Sequence, residues 1–483
     1  MSAATSSSSL LTELLDEVKQ TRKHQLYPPG CSISTWRKEQ IEAMVDRFLA
    51  VKSVARPTPT ARPHEPLEIV VERAMLCKRI VQRFNTECKQ RGIQYDLNNA
   101  VARWFITQKM AEECHSALSP SQFVDPIIPA APCSDAGLVH KLMTMGMLPD
   151  TVAAVEKMLK ELCTDLHKRI SLMFETFDKV AAFTHPALSP CESSPSRAVN
   201  VVHYNDYVKL TYGDVTVKVN ANKYVSLRQM WMCIRFANYQ PSGDPGTPEE
   251  TFNRDIFCML SRYEAIPVGG GYHAAAPEPV FRLLNRVLGV THECFASPLN
   301  RSDVLPFYCS AYPDVDAPFG SLGSVWDVVS PNSTKLFRSP CGISLEANPP
   351  FLEEVLYALA KTINSILARP AFDAVPISFT LILPDWQDTP AIVMLLDSPF
   401  YRYKIRIGRE EHAYIYGRQY RRAYRKRFRN VMEDDNQHPE DSEHVHYANT
   451  LIVLLQNDAG VAKWPFREKD EQQLREAFVA HVE

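Results

Sequence analysis

Long apolar runs are missing from this sequence of 483 residues. None approaches the ~20 consecutive apolar residues that a bilayer-spanning helix needs, so no membrane partner is expected. A dominant charge is missing too. Lys and Arg number 53 against 56 Asp and Glu, a formal net charge of -3, so any surface for nucleic acid has to be a local basic patch. The 12 cysteines include no Cys-x-x-Cys pair and no Cys/His spacing of a zinc module. They read as reduced thiols of an intracellular protein, and no metal is expected. The chain opens with no charged-then-apolar leader. Residues 2–9 are Ser-rich and expected to be disordered. No internal repeat is visible.

What is present is enough apolar material for a large core: 45% hydrophobic against 23% charged residues, over a length that allows two or three domains. Apolar residues recur at helical spacing over 10–25 and 36–53, and again over 69–91 and 152–174. Pro-rich or Pro/Ser-rich breaks at 56–66 and 186–196 read as linkers. Residues 10–190 are therefore expected to form a mostly helical domain. Beyond them the pattern changes. Short β-branched runs at 200–204, 207–212 and 215–219, with Gly213-Asp214 between the last two, predict a hairpin. Helices (279–288, 352–367) and apolar strands (292–295, 341–346, 377–383, 403–407, 450–455) then alternate, which predicts an α/β sheet over 200–483. Residues 408–448 are polar and charged and read as an inserted loop. In such sheets ligands bind outside the carboxyl ends of the strands. Asn348-Pro349-Pro350-Phe351 falls there.

The tetrad has chemistry to offer. The exocyclic amine of adenine is a weak nucleophile because its lone pair is delocalised into the ring. A catalyst must hold it in line with a methyl donor and accept hydrogen bonds from its two hydrogens. The Asn348 side-chain oxygen and the Pro349 carbonyl can supply the acceptors. The two prolines stiffen the turn, and Phe351 can stack on the base. The competing reading is an ordinary helix start, with Asn348 as cap and proline in the first turn.

Around the tetrad the sequence resembles the cap-specific adenosine N6-methyltransferases, also called the phosphorylated-CTD-interacting factor family. The likeness runs through His292-Glu293-Cys294-Phe295-Ala296-Ser297-Pro298-Leu299-Asn300 and Tyr308-Cys309-Ser310-Ala311-Tyr312-Pro313-Asp314. It continues at Phe319-Gly320-Ser321, Glu346-Ala347-Asn348-Pro349-Pro350-Phe351 and Pro384-Asp385-Trp386. It closes at Leu455-Gln456-Asn457-Asp458-Ala459-Gly460 and Ala462-Lys463-Trp464. The blocks keep the family's order across 255–465. The resemblance implies a helical domain with a Rossmann-like S-adenosylmethionine-dependent methyltransferase domain, acting on N6 of the adenosine next to the 7-methylguanosine cap of mRNA. It implies that Asn348, Pro349, Pro350 and Phe351 hold the adenine, and that Glu293, Phe295, Ser297 and Pro298 line the cofactor cleft. It also implies nuclear residence. Glu353 is a candidate for the cofactor's methionine or ribose end, or else a solvated first-turn glutamate. Phe295 is a cleft residue or plain core. Trp386 either stacks on a substrate base or is a structural tryptophan. Animal members carry a WW module, which needs two tryptophans about twenty residues apart. Trp36 stands alone until Trp104, so tethering to the polymerase tail by that route is not expected.

The clearest basic patch is 418–429, where Arg421, Arg422 and Arg425 alternate with Tyr420, Tyr424 and Phe428. Arginines beside aromatics suit RNA phosphates and bases. A nuclear import signal, or a solvated helix paired with Glu433-Asp434-Asp435, fits as well. Gly269-Gly270-Gly271 reads as a flexible loop near the site. His438, His444 and His446 sit in a polar stretch with no metal-ligand spacing. Two other functions stay open: N6-adenine methylation of another RNA or of DNA, and a non-catalytic cap- or RNA-binding module.

Overall fold

Two-residue alternation of apolar and polar side chains over 207–220 is the pattern of a half-buried strand pair. The computed structural model folds it so. It describes residues 33–52, 65–93, 97–115, 124–183, 198–237, 247–266, 274–330, 336–339, 341–412, 414–416, 444–445 and 449–479. β1 (Asn200–His203), β2 (Tyr207–Tyr212) and β3 (Val215–Asn220) form an antiparallel meander. Val208, Leu210, Val215, Val217 and Val219 face inward. The predicted turn falls at Gly213, whose φ of +53° is the left-handed conformation a tight hairpin demands.

The residues separate into two units. The first holds α1 (Ile33–Lys52), most of α2 (Leu67–Gln90), α3 (Asn98–His115), α4 (Ala136–Thr144) and α5 (Pro149–Phe183). Its core includes Phe84, Trp104, Phe105, Leu142, Leu159 and Ile170. Asp135 starts α4 by accepting the Leu138 N–H, and its own N–H is held by the Glu156 carboxylate at 2.7 Å. The expected helices at 36–53, 69–91 and 152–174 are thus present. The expected helix at 10–25 and both linkers lie outside the described residues, apart from Glu65 and Pro66. Residues 52–74 fall in the second unit, together with 191–264 and 269–483.

The second unit is built on a six-stranded sheet in the order β6-β5-β7-β8-β12-β9. Its strands are β5 (His292–Ala296), β6 (Phe307–Ser310), β7 (Ile343–Ala347), β8 (Ile377–Pro384), β9 (Tyr401–Ile407) and β12 (Thr450–Gln456). The first four run parallel. β12 is antiparallel to both neighbours, β8 and β9. β7, β8 and β12 are buried along their whole lengths, as expected of strands covered on both faces. One face packs on α8 (Glu278–Leu288) and α14 (Glu468–Val479), through Leu284, Leu288, Ile382, Ile452, Leu454, Leu474 and Phe478. α11 (Glu353–Leu367) packs against α12 (Pro390–Leu396), and α12 against β12. α11 is buried around much of its circumference, more than the amphipathic pattern predicts. This is the expected α/β architecture, with a mixed sheet. The sequence reading had not separated out β6, nor α6 (Ala221–Ala237), α7 (Pro248–Ala265) and the short α9 (Pro313–Asp316) and α13 (Asp458–Lys463).

Reversed β12 needs anchoring, and Asn457 at its end provides it. Its Oδ1 accepts the Ile377 and Gly460 N–H groups at 3.0 and 2.8 Å. Its Nδ2 donates to the Phe372 and Val375 carbonyls at 3.1 and 2.7 Å. Each such bond is worth on the order of 1 kcal/mol, and a lost partner would leave a buried group unpaired. The Gln456-Asn457-Asp458 block is therefore a clamp at the amino end of β8.

The entry to β7 is equally tight. Gly342 has φ +69°, and a Cβ there would stand 2.4 Å from the Pro376 carbonyl oxygen, which accepts the Ile343 N–H at 2.8 Å. Gly342→Ala is expected to cost about 2 kcal/mol or more, from backbone strain plus this clash. Urea melts of the two proteins measure it, and an unchanged midpoint would refute the constraint.

Candidate active site

From β5 the chain first goes outward to the edge strand β6, then returns to β7 on the other side of β5. The connections leaving β5 and β7 thus diverge and open a crevice at their carboxyl ends, the place where open α/β sheets bind ligands. Three motif blocks meet this end of the sheet: 297–300 after β5, the Asn-Pro-Pro-Phe turn after β7, and Pro384-Asp385-Trp386 at the end of β8.

The turn is not a helix cap. α11 begins at Glu353 with Leu352 in the cap position, four residues past Asn348. The Asn348 side chain instead donates from Nδ2 to the Ala274 carbonyl at 3.0 Å. That bond commits the amide nitrogen and turns Oδ1, an acceptor, to the other side. The Pro350 carbonyl accepts the Leu352 N–H at 2.7 Å, whereas none of the described backbone N–H groups bonds the Pro349 carbonyl. Pro349 is buried and Phe351 half-buried. The Phe351 ring meets the edges of Trp386 and Tyr414, each with centroids 6.3 Å apart, at 71° and 80°. Trp386 is half-buried on a turn held by its N–H to the Pro384 carbonyl and by Arg406 pairing with Asp385 at 2.6 Å.

Tyr414 was not singled out by the sequence reading. It lies inside the span read as an inserted loop, yet Tyr414–Tyr416 is a strand, β10, paired with β4 (Ala274–Ala275) and β11 (His444–Val445). Tyr414 is fully buried. Its hydroxyl bonds Thr450 Oγ1, which bonds His412 Nε2, and His412 Nδ1 bonds the Gly408 carbonyl. This chain fixes the ring behind Phe351. The alternation Tyr414-Ile415-Tyr416 was the available signal, and the charged residues that follow it obscured it.

After β5, Ser297 is buried and serves its own loop. Its N–H and hydroxyl both donate to Asn300 Oδ1, at 2.8 and 2.7 Å, and its Oγ accepts the Leu299 N–H. Pro298 is buried beside it, and Phe295 is half-buried, edge-on to Trp326 at 5.9 Å. Glu293 is 3% exposed, and its Oε2 accepts the Ser302 N–H at 2.9 Å. Directly beside it in register stands Glu346 of β7, 0% exposed. Burial pushes both carboxyls well above the usual carboxylate range, and the charge of Glu293 makes ionisation of Glu346 harder still. Glu353 is half-buried in the first turn of α11. Arg421, Arg422, Arg425 and Gly269-Gly270-Gly271 lie outside the described residues, as do His438 and His446. Among the described residues no cluster of three His, Cys, Asp or Glu could hold a metal ion, and no helix is long and apolar enough to cross a membrane.

Other matched blocks shape the edge next to the crevice. The Tyr308 hydroxyl donates to the Phe319 carbonyl at 2.9 Å, and the Ser310 and Ser321 hydroxyls bond each other at 2.7 Å. Past β6, Asp316 is 0% exposed and accepts the Tyr263 hydroxyl at 2.7 Å. Burial raises its carboxyl to about 7. A raised acid is protonated in the folded state while ionised in the unfolded one. Its stabilising contribution is therefore complete below the unfolded value near 3.8 and is lost as pH rises toward 7. Asp316→Asn removes that loss. It is expected to melt higher than the parent at about pH 8, by a margin on the order of a few kcal/mol in stability that shrinks at about pH 4. Thermal melts across this range give the check; a pH-independent difference would contradict it.

A family profile described as "Phosphorylated CTD interacting factor 1 WW domain" matches residues 227–417. That stretch carries Trp231, Trp326 and Trp386 and runs from α6 past β9. The chain is 31% identical over 306 residues to the mRNA (2'-O-methyladenosine-N(6)-)-methyltransferase of Homo sapiens, covering 61% of this chain and 38% of that protein. It is 30% identical over the same length to the Mus musculus protein of that name, with the same coverage. The chain thus spans 38% of the length of these curated relatives. By these matches and by the blocks gathered around the crevice, part of this chain is similar to the phosphorylated CTD interacting factor family.

Proposed function

We propose that this chain methylates N6 of the adenosine next to the 7-methylguanosine cap of mRNA, using S-adenosylmethionine, on a Rossmann-like methyltransferase domain. The observation that carries the reading is the setting of Asn348. It stands at the carboxyl end of β7, beside the point where the strand order reverses. Its amide nitrogen is committed to Ala274, so Oδ1 is left as an acceptor. The sheet, with four parallel strands and one reversed strand inside the far edge, and the names of the relatives support the same reading.

In this mechanism Asn348 Oδ1 and the Pro349 carbonyl accept the two N6 hydrogens. That localises the nitrogen lone pair and holds it for in-line attack; as the N–C bond formed and the donor's S–C bond broke, one of the two N6 hydrogens would leave as a proton to solvent. Phe351, braced by Trp386 and Tyr414, stacks on the adenine, and Trp386 extends that aromatic wall. A base next to the cap is unpaired, so placing it there costs little. Residues of the β5 end suit the cofactor: Phe295 with Trp326 offers an aromatic wall, the loop 297–300 a rigid rim, Glu293 and Glu346 a buried carboxyl pair, and Glu353 a further carboxyl group. When bound there, S-adenosylmethionine supplies an electrophilic methyl group on a sulfonium. Arg421, Arg422 and Arg425 are proposed to contact the phosphates of the capped end, and residence is proposed to be nuclear.

The test is methyl transfer to matched short RNAs beginning with adenosine, one capped with 7-methylguanosine and one bearing a 5′-triphosphate, followed by nucleoside analysis. N6-methylated adenosine is expected in the capped RNA alone. Asn348→Ala should lower kcat by about 100-fold or more, the usual cost of losing a transition-state hydrogen bond. Transfer to uncapped RNA or to DNA replaces the substrate. Cofactor binding without transfer to any of them leaves a binding module. Because Trp231, Trp326 and Trp386 lie on α6, on α10 (Val325–Val328) and after β8, we expect no recognition of the polymerase tail through a WW module. Saturable binding of a phosphorylated tail peptide, read by fluorescence anisotropy, would reverse that.

A further inference from the structure

Below the crevice the Glu293–Glu346 pair stands out because half of it has nothing to do. The two residues are Cα partners on parallel strands, so their side chains rise from the same face of the sheet. Glu293 holds the Ser302 N–H. Among the described residues neither oxygen of Glu346 has a hydrogen-bond partner, and the hydroxyl of Thr380, its register neighbour on β8, has none either. Thr380 is 1% exposed. Buried polar groups are nearly always satisfied, and an unsatisfied one costs on the order of 1–3 kcal/mol. Two adjacent ones on neighbouring strands, one of them next to the end of β7, mark a place where a polar ligand completes the set.

Position and charge say which ligand. Glu346 is two residues before Asn348, about 6.6 Å along an extended chain and on the same side. Facing the pair are Glu278 from the start of α8, Lys223 from α6 and Arg301 from the loop after β5, all of which act on Glu293. Tyr414 of β10 and Cys294 of β5 are near enough to Glu346 for its charge to act on them. The two cations lie on the Glu293 side, and the charge acting on Glu346 is that of Glu293. Among the described residues no group of three His, Cys, Asp or Glu is placed to hold a metal ion, so the carboxyl pair suits an organic cation better.

We propose that the Glu293–Glu346 pair is the counter-charge for the onium end of S-adenosylmethionine, and that loading the cofactor expels the proton that the pair holds beforehand. The proposal rests on the methyltransferase reading. Close carboxyls in a dry site cannot both ionise; a nearby cation reverses that. The O–H bond of one carboxyl breaks, its proton leaves to buffer, and the carboxylate pairs with the cation. Nothing is oxidised or reduced.

Titration calorimetry of the full chain with S-adenosylmethionine, at one pH near neutrality in buffers of different ionisation enthalpy, counts the protons. Release approaching one proton per cofactor is expected. Glu346→Gln replaces one neutral buried group by another, so thermal melts should show a folded protein. It should lose the release and bind the cofactor at least about tenfold more weakly, roughly 1.4 kcal/mol. S-adenosylhomocysteine, run in parallel, separates the two onium groups. Release with both ligands assigns the ammonium, and release with S-adenosylmethionine alone the sulfonium. As an arm free of variants, wild-type affinity should tighten from about pH 6 to about pH 8. Saturable binding with no proton release, or with release retained in Glu346→Gln, overturns the proposal and leaves the methyltransferase reading standing. Absence of cofactor binding overturns that reading as well.

Discussion

The parallel pairing of β5 with β7 is the constraint on which the second unit depends. It places strands adjacent that are separated in sequence by the excursion through β6, so two connections must leave the same end of the sheet in opposite directions. The crevice follows from that topology, whatever side chains line it. It also sets Glu293 beside Glu346 and brings the 297–300 loop alongside the Asn-Pro-Pro-Phe turn. Backbone fit protects the arrangement at the opposite end: Gly342 admits the Pro376 carbonyl, and Asn457 ties the start of β8 to the end of reversed β12.

With that frame in place, preorganisation is achieved by small polar commitments. Asn348 gives its nitrogen to Ala274, Ser297 gives its hydroxyl to Asn300, and Tyr414 is held by Thr450 and His412. Each removes a rotamer choice before any ligand arrives, so little ordering cost remains at binding. Against this background of satisfied groups, the unsatisfied Glu346 and Thr380 carry information. A native interior tolerates few such atoms, and these two are register partners on β7 and β8.

The resemblance blocks divide accordingly. Glu346 to Phe351 and Pro384 to Trp386 build the crevice. Gln456, Asn457 and Trp464 support strands far from it, with Gln456 Nε2 donating to the Trp464 carbonyl at 3.1 Å. Likeness in a block therefore marks either chemistry or architecture, and spacing along the chain does not tell the two apart.

By itself the sequence determined the local elements and the motif. Periodicity marked several helices and most strands, Gly213 marked the hairpin, and the apolar runs at 377–383 and 450–455 announced buried strands, because these signals depend on neighbours within a few residues. The tetrad's chemistry was legible for the same reason, although a helix start fitted it as well. Tertiary structure decided what depends on distant partners. It moved the helix cap to Leu352, and it recruited Tyr414 from the span read as an inserted loop and Ala274 from a stretch with no assigned role. It also set two glutamates 53 positions apart in sequence side by side. Register is fixed by the packing of whole strands. No local pattern in either strand states which residue it will face.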